Sequence, residues 1–384
     1  MSAKILHVAK NIPTPYKHEN DIILKTIALY RDRYSRLADV VYPVEYVPAV
    51  KLFEALGPRY VEKVRLGRTW RSGEDLDIDV LRYPRLPHRS VANMLCGYAQ
   101  FLPCNIEVLK KYHCATYDVV HCHHVLPDFL IYEALKVRAK KRIITVRQGD
   151  VDKITILRKS SFEYLLYKRC IDRADEIVAP SFSIAAFIRS EFDRNVVVIP
   201  HGCTVPKELQ LSKDDGVVKV VTSARMLECK NIDWVIRAVN DYAESAKVKL
   251  YISGDGPLRQ QLEAIAGSAV TFLGALSFEE NMRLFAKCDI FALPSLGETF
   301  GRVYIEALSY GLTCIGLQNT GLDGYDLEGT VIWPKDYLTF KAALFRLIDN
   351  PEIVKTNRSR SREVAMKMFD WPNVLDLYHQ LYNS

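Results

Sequence analysis

The stretch "PSLGETFGRVYIEALSYGLTCIG", Pro294 to Gly316, holds two carboxylates, Glu298 and Glu306, with seven residues between them and a glycine-bearing turn at their centre. A carboxylate in a loop and a second inside the next helix can accept hydrogen bonds from two different sets of hydroxyls. Between them the first amides of the helix lack intrahelical acceptors, and such an end suits a phosphate. The residues at that end are Thr299, Phe300, Gly301, Arg302 and Val303. A sugar on one side of the phosphate and a ribose on the other would fit. Taken alone, the same spacing also describes a helix whose glutamates only favour its dipole.

Other residues of the right type accompany this pair. "SARMLECKNIDWVIRAV" puts Arg225 and Lys230 in a loop after a strand-like run, where two cations can neutralise a diphosphate. "YISGDGPLRQQL" supplies Gly254 and Gly256, which permit a tight turn with close backbone approach. It is not a dinucleotide fingerprint, because Arg259 stands where the third glycine should be. In "YDVVHCHHVLPD", strand alternation sets His121 and His123 on one face, with Cys122 and His124 on the other. Two ligands per face are too few for a zinc site, so no metal is expected. A histidine where that strand ends can instead donate to a sugar hydroxyl. "TVRQGDVDK" adds Arg147 and Asp150, both within reach of an acceptor or a sugar. Asp75, Asp77 and Asp79 form an Asp-x-Asp pattern, but they read as a polar run ahead of the strand "VLRYP", whereas a metal-binding motif should follow a strand.

These loops need a frame. Strand-like runs such as "KILHVAK", "YDVVHCHH" and "RIITVRQ" alternate with helical patterns through the first 200 residues. After a polar stretch near residues 207–216 the rhythm restarts with "VKVVTSA" and "VKLYISG". Continuous apolar strands alternating with helices imply parallel sheets covered on both faces. Two doubly wound α/β domains in tandem are expected, with ligand bound in the cleft at the carboxyl ends of their strands.

Composition narrows the class. The chain has 384 residues, 49% of them hydrophobic, enough for two packed domains. No run of 18 apolar residues suggests a spanning helix, and "MSAKILHVAK" reads as a buried strand rather than a signal peptide. Nine cysteines with no CxxC pair suggest reduced, buried thiols in a cytoplasmic protein. Residues 1–200 carry 32 Lys and Arg against 23 Asp and Glu. A basic first half suits an anionic substrate or the anionic inner face of a plasma membrane. Tyr46 to Trp70, rich in aromatic, leucine and basic residues, is a candidate for that contact. Nucleic acid is not expected as a partner.

In order and spacing, "SARMLECKNIDWVIRAV", "LYISGDGPLRQQLE", "VTFLGALSFEENMRLFAKCDIFALPS" and "GETFGRVYIEALSYGLTCIG" resemble the retaining glycosyltransferases of family 4. The resemblance implies the GT-B fold, two Rossmann-like domains facing across a cleft. An acceptor-binding domain would span 1–203 and a nucleotide-sugar domain 204–365. A last helix at 366–384 would cross back to the first domain. It implies that Glu298 binds the donor sugar, Glu306 the ribose, and Arg225 and Lys230 the diphosphate. Residues 299–303 and Gly254 would line the donor, and "DVVHCHH" would make His123 the active-site histidine. No cofactor is implied beyond the nucleotide-diphosphate sugar itself, and no metal.

Two departures stand out. The family's Gly-Gly pair after the first strand is replaced by "KNIPTPYKHENDIIL", which leaves Lys10, Asn11 or His18 to take its place. Where many members have His-Gly-x-Asp, this chain has "RQGD", with Arg147 for the histidine. The expected activity is metal-independent, retaining transfer of a glycosyl group to a glycan or lipid-linked hydroxyl, in surface polysaccharide or glycolipid assembly. The alternatives are a sugar-nucleotide epimerase of the same architecture and a non-catalytic sugar- or lipid-binding protein.

Overall fold

A computed structural model of the protein describes residues 4–16, 21–46, 66–84, 99–209, 215–296, 298 and 300–384. The chain divides into two compact units. One comprises residues 1–180, 184–199 and 377–384, and the other residues 181–183 and 200–376.

In chain order the elements are β1 (Lys4–Val8), α1 (Ile22–Tyr34), β2 (Leu37–Tyr46), β3 (Thr69–Arg71), β4 (Asp77–Pro84), α2 (Ile106–Tyr112), β5 (Thr116–Cys122), α3 (Asp128–Leu135), β6 (Arg138–Thr145), α4 (Gln148–Ile156), α5 (Phe162–Arg173), β7 (Glu176–Ala179), α6 (Phe182–Phe192) and β8 (Val197–Val198). The first sheet runs β3-β4-β2-β1-β5-β6-β7-β8, with only the β3–β4 pair antiparallel. Its central strands are apolar on both faces, as a sheet covered by helices on each side requires. Ile5, Leu6 and Val8 of β1 and Val119, Val120 and Cys122 of β5 are all buried.

β4 corrects one expectation. Asp77 and Asp79 lie inside the strand and not ahead of it. Asp79 is buried and accepts from Tyr112 Oη at 2.5 Å and Lys111 Nζ at 2.6 Å, which makes it a packing residue. The cysteines are also less uniformly buried than expected, since Cys114 and Cys229 are exposed.

The second unit contains β9 (Val218–Ser223), α7 (Ile232–Asn240), β10 (Val248–Ser253), α8 (Arg259–Ala264), β11 (Val270–Gly274), α9 (Phe278–Phe285), β12 (Ile290–Ala292), α10 (Arg302–Ser309), β13 (Thr313–Ile315), β14 (Val331–Ile332), α11 (Tyr337–Asp349) and α12 (Pro351–Phe369). A final helix, α13 (Trp371–Asn383), begins here, and its residues from 377 onward belong to the first unit. The sheet order is β11-β10-β9-β12-β13-β14, and every pair is parallel. Strand order therefore reverses between β9 and β12, and in the first sheet between β1 and β5. Ligands of open α/β sheets bind at the carboxyl ends of strands flanking such reversals.

Helix α10 illustrates how sequence sets these ends. It buries Tyr304, Ile305, Ala307 and Leu308, which leaves Arg302 and Glu306 on its remaining side. It stops where Gly311 adopts φ +83°, with Gly311 N donating to Leu308 O at 2.9 Å and Leu312 N to Ala307 O at 3.1 Å. That pair of bonds is a Schellman end. A Cβ at Gly311 would lie 2.7 Å from Arg358 Cγ, and Arg358 is itself held by Asp289 at 2.8 Å. Gly311→Ala is expected to cost about 1–3 kcal/mol, from left-handed strain plus displacement of Arg358. Urea unfolding of the two proteins measures it.

Candidate functional site

In the second unit the loops after β9, β10 and β12 converge. Gly254 has φ +123°, and a Cβ there would sit 2.0 Å from Ala224 O. The turn after β10 thus packs against the backbone next to Arg225, and Met226 N donates to Asp255 O at 2.9 Å. Gly254 is required for this backbone contact. The loops after β9 and β12 are tied by Leu296 N to Cys229 O at 2.7 Å, Asn231 Nδ2 to Pro294 O at 2.8 Å and Ser295 Oγ to Cys229 O at 3.3 Å.

This clamp brings Lys230 and Glu298 together as a partly buried ion pair in which Lys230 Nζ donates to Glu298 Oε1. Arg225 is exposed on the same loop as Lys230, with no side-chain hydrogen bond or ion pair to a described residue. Glu306 is largely shielded one turn into α10, with Oε1 3.4 Å from Arg302 Nη2. Gly301 precedes the helix in a left-handed conformation, φ +77°. The Phe300 ring is buried against His201, Tyr325 and Phe369, so only its backbone remains to face a ligand. Val303 is half-buried, and Thr299 lies outside the described residues. Sequence reasoning missed Asn281 of α9, whose Oδ1 accepts from Ser253 Oγ at 2.6 Å and Ser223 Oγ at 3.2 Å, locking the ends of β10 and β9.

In the first unit β1 and β5 end side by side. His121 and His123 share a face, their rings stacked at 4.3 Å. Pairing of β1 with β5 adds a third imidazole, His7, whose Nδ1 lies 3.1 Å from His123 Nε2. The three could present ligand atoms within 4.8 Å of one another, which a count along one strand could not reveal. Both nitrogens of His121 are already engaged, Nδ1 with Tyr382 Oη and Nε2 with Thr145 Oγ1, each at 2.7 Å. His7 and His123 are joined to each other through one nitrogen each. The histidine in the run "KILHV" was the only trace of this third member in the sequence.

Arg147 Nε donates to the His123 carbonyl at 3.0 Å, and Arg147 N to Asp150 Oδ2 at 3.2 Å. Asp150 Oδ2 also lies 3.2 Å from His124 Nδ1. Lys10 reaches back toward α3: its amide donates to Asp128 Oδ2 at 3.3 Å and its ammonium to Leu126 O. Asn11 is exposed with φ +58°. His18 and most of Tyr46 to Trp70 lie outside the described residues.

Residues 217–350 match the family model described as glycosyl transferases group 1, and residues 52–205 match that of Glycosyltransferase Family 4. An uncharacterized glycosyltransferase of Methanocaldococcus jannaschii is 24% identical over 342 residues, covering 81% of this chain and 91% of its own. The solved sucrose-phosphate synthase of Thermosynechococcus elongatus aligns with a TM-score of 0.69 over 99% of this chain and 98% of that one, at 17% identity. HepE of Anabaena, solved in complex with UDP and glucose, aligns with a TM-score of 0.65 over 99% of both chains, at 18% identity. The fold is GT-B, as the resemblance implied, and its two parallel-sheet domains are those the strand rhythm led us to expect.

Burial governs the charges of the first unit. It pulls His7 down to about 3 and His124 to about 4, and holds His121 and His123 well below their ordinary value. It pushes Asp128 up to about 8. The unfolded chain protonates its histidines near 6.5, so it binds more protons than the folded chain as pH falls. The histidine contribution to stability is therefore present above pH 6.5 and lost as pH drops toward 4. Asp128 has the opposite sign: its contribution is present below pH 4 and lost as pH rises to about 8. His7→Asn should flatten the acid limb by up to about 1.4 kcal/mol per pH unit, and Asp128→Asn should flatten the neutral-to-alkaline limb. Urea midpoints from pH 4 to 9 check both.

Proposed function

We propose that this chain, a glycosyltransferase of the GT-B type, moves a glycosyl group from a nucleotide-diphosphate sugar to an acceptor hydroxyl with retention of configuration and without a metal. The observation that carries this is the grouping of Arg225, Lys230 and Glu298 on the loops after β9 and β12, with Glu306 one turn behind them. In this reading Glu298 accepts hydrogen bonds from the donor sugar and Glu306 from the ribose. Arg225, Lys230 and the amides at the start of α10 face the diphosphate.

The reacting carbon gains oxocarbenium character while negative charge grows on the departing diphosphate. The two cations stabilise that charge more than they stabilise the intact donor, which is what lowers the barrier. They supply the positive charge that a metal would otherwise bring. The departing phosphate oxygen takes the acceptor's proton as the new bond forms on the face it leaves. His123 and the loop beginning at Lys10 are assigned to the sugar and acceptor. Surface polysaccharide or glycolipid assembly would follow if the acceptor is a glycan or a lipid-linked sugar. No helix among the described residues is long and apolar enough to cross a membrane.

Thermal unfolding with UDP, GDP, ADP and CMP, in chelator and then with Mg²⁺, tests the donor site. A ligand at about 100 times its dissociation constant should add roughly 2.7 kcal/mol to the folded state. One nucleoside diphosphate is expected to do so without metal, and Arg225→Ala to abolish the shift and slow transfer about 10²–10³-fold. The anomeric proton of the product, read by NMR before mutarotation, should match the donor's configuration. An inverted product would remove the retaining assignment, and a shift that needs Mg²⁺ would remove the metal-free one.

A further inference from the structure

Arg147 carries a charge that its surroundings only partly match. It caps the start of α4, with Nε fixed to the His123 carbonyl at 3.0 Å. Its two terminal nitrogens make no hydrogen bond or ion pair to a described residue. A guanidinium pinned along one edge keeps a planar pair of donors on the other, the geometry that matches a carboxylate or a phosphate. Room is present at the start of that helix, since a Cβ at Gly149 would meet nothing within 4 Å.

The local charge count points the same way. The ionisable groups acting on Arg147 are Tyr378, Asp150 and Asp128. Burial keeps Tyr378 a neutral phenol, and Asp128 retains its proton up to about pH 8. Burial works against the Asp150 carboxylate, but His124, Lys10 and the Arg147 amide outweigh it and hold Asp150 ionised. The four neighbouring imidazoles are neutral. Asp150 is thus the one ionised carboxylate among the groups acting on Arg147, and Lys10 and Lys153 face it too. That oxygen pair is already half used: Oδ2 takes His124 and the Arg147 amide, and Oδ1 has no partner among the described residues. A shielded cation left short of its counter-charge is costly unless a ligand supplies one.

We propose that Arg147 binds a carboxylate or phosphate on the acceptor, which makes the acceptor an anionic, hydroxyl-bearing molecule. This rests on the glycosyl-transfer reading, because only then is there an acceptor to bind. The proposal goes beyond that reading by assigning the acceptor's charge and the residue that senses it.

The test is anion binding by thermal unfolding of wild type, Arg147→Gln, Arg147→Lys and Arg225→Ala. The probes are inorganic phosphate, L-malate, neutral glycerol, and vesicles of phosphatidylglycerol or phosphatidylcholine, with UDP as a separate arm. Phosphate or malate should stabilise wild type while glycerol does not. Arg147→Gln should weaken that response about ten- to hundredfold, the worth of a hydrogen-bonded charge pair. Arg147→Lys should retain part of it through charge alone, and Arg225→Ala should retain the whole malate response while losing only the phosphate that the donor diphosphate site holds. A response confined to phosphatidylglycerol vesicles and lost in Arg147→Gln would also support the proposal and place the anion on a lipid. Equal responses in wild type and Arg147→Gln, or none to any anion, would overturn it. The UDP arm stays independent: loss of UDP binding in every protein would sink the donor reading without touching the anion result.

Discussion

Both candidate sites depend on the reversal of strand order. In the second unit the chain leaves β9 for β10 on one side and leaves β12 for β13 on the other. The two loops diverge, and no strand-to-strand ladder can continue above them. They are held instead by loop contacts: Leu296 and Ser295 on the Cys229 carbonyl, Asn231 on that of Pro294, and Lys230 on Glu298. The first unit repeats the logic at β1 and β5, where Lys10 holds Leu126 and Asp128, and His7 meets His123. Polar groups gather at these two places because the backbone there cannot satisfy itself.

The two sites solve the cost of buried polarity differently. At the first unit's site burial keeps four imidazoles and Asp128 neutral at pH 7, and His121 is satisfied on both nitrogens. Neutral, paired groups avoid the penalty of buried charge. Tyr382, which closes that network, comes from the far end of the chain, so α13 contributes directly to the order of His121. In the second unit the cations and carboxylates lie nearer solvent, where ionised groups can be held without a large desolvation cost. One unit is built for shape and hydrogen bonding, the other for charge. Lys10, Arg147 and the Asp150 carboxylate are the exceptions at the first site.

What the sequence made legible was local. Glu298, Glu306, Arg225 and Lys230 lie in strand–loop–helix units, and each unit can be recognised from its own twenty residues. The same is true of the stop at Gly311. What stayed hidden depends on register between distant segments. His7 and His121 are 114 positions apart, yet they are direct partners across β1 and β5. Asp79 read as polar and outside a strand because its partners, Lys111 and Tyr112, come from a helix about thirty residues on. Phe300 was counted among ligand-facing residues from its place in the motif, but its ring fills the core under α10. Alternation along one strand assigns a face and says nothing of what the neighbouring strand adds.

The Lys230–Glu298 pair bears on how a donor would enter. Both side chains keep some exposure, 20% and 15%, so solvent still screens them. A pair in that setting is worth little in net terms, on the order of 1 kcal/mol. Opening it is therefore cheap relative to what a donor offers in exchange. In the proposed reaction the diphosphate gives Lys230 a stronger anion than Glu298, and the sugar gives Glu298 neutral hydroxyl donors that cost no charge. Until then the ion pair keeps both side chains in place, so neither has to be ordered at the moment of binding. Arg225, exposed and without such a partner, must lose rotamer freedom when the donor arrives. In that proposed reaction its contribution would be concentrated where negative charge is greatest, in the transition state, while Lys230 and Glu298 would act first as the scaffold that receives the donor.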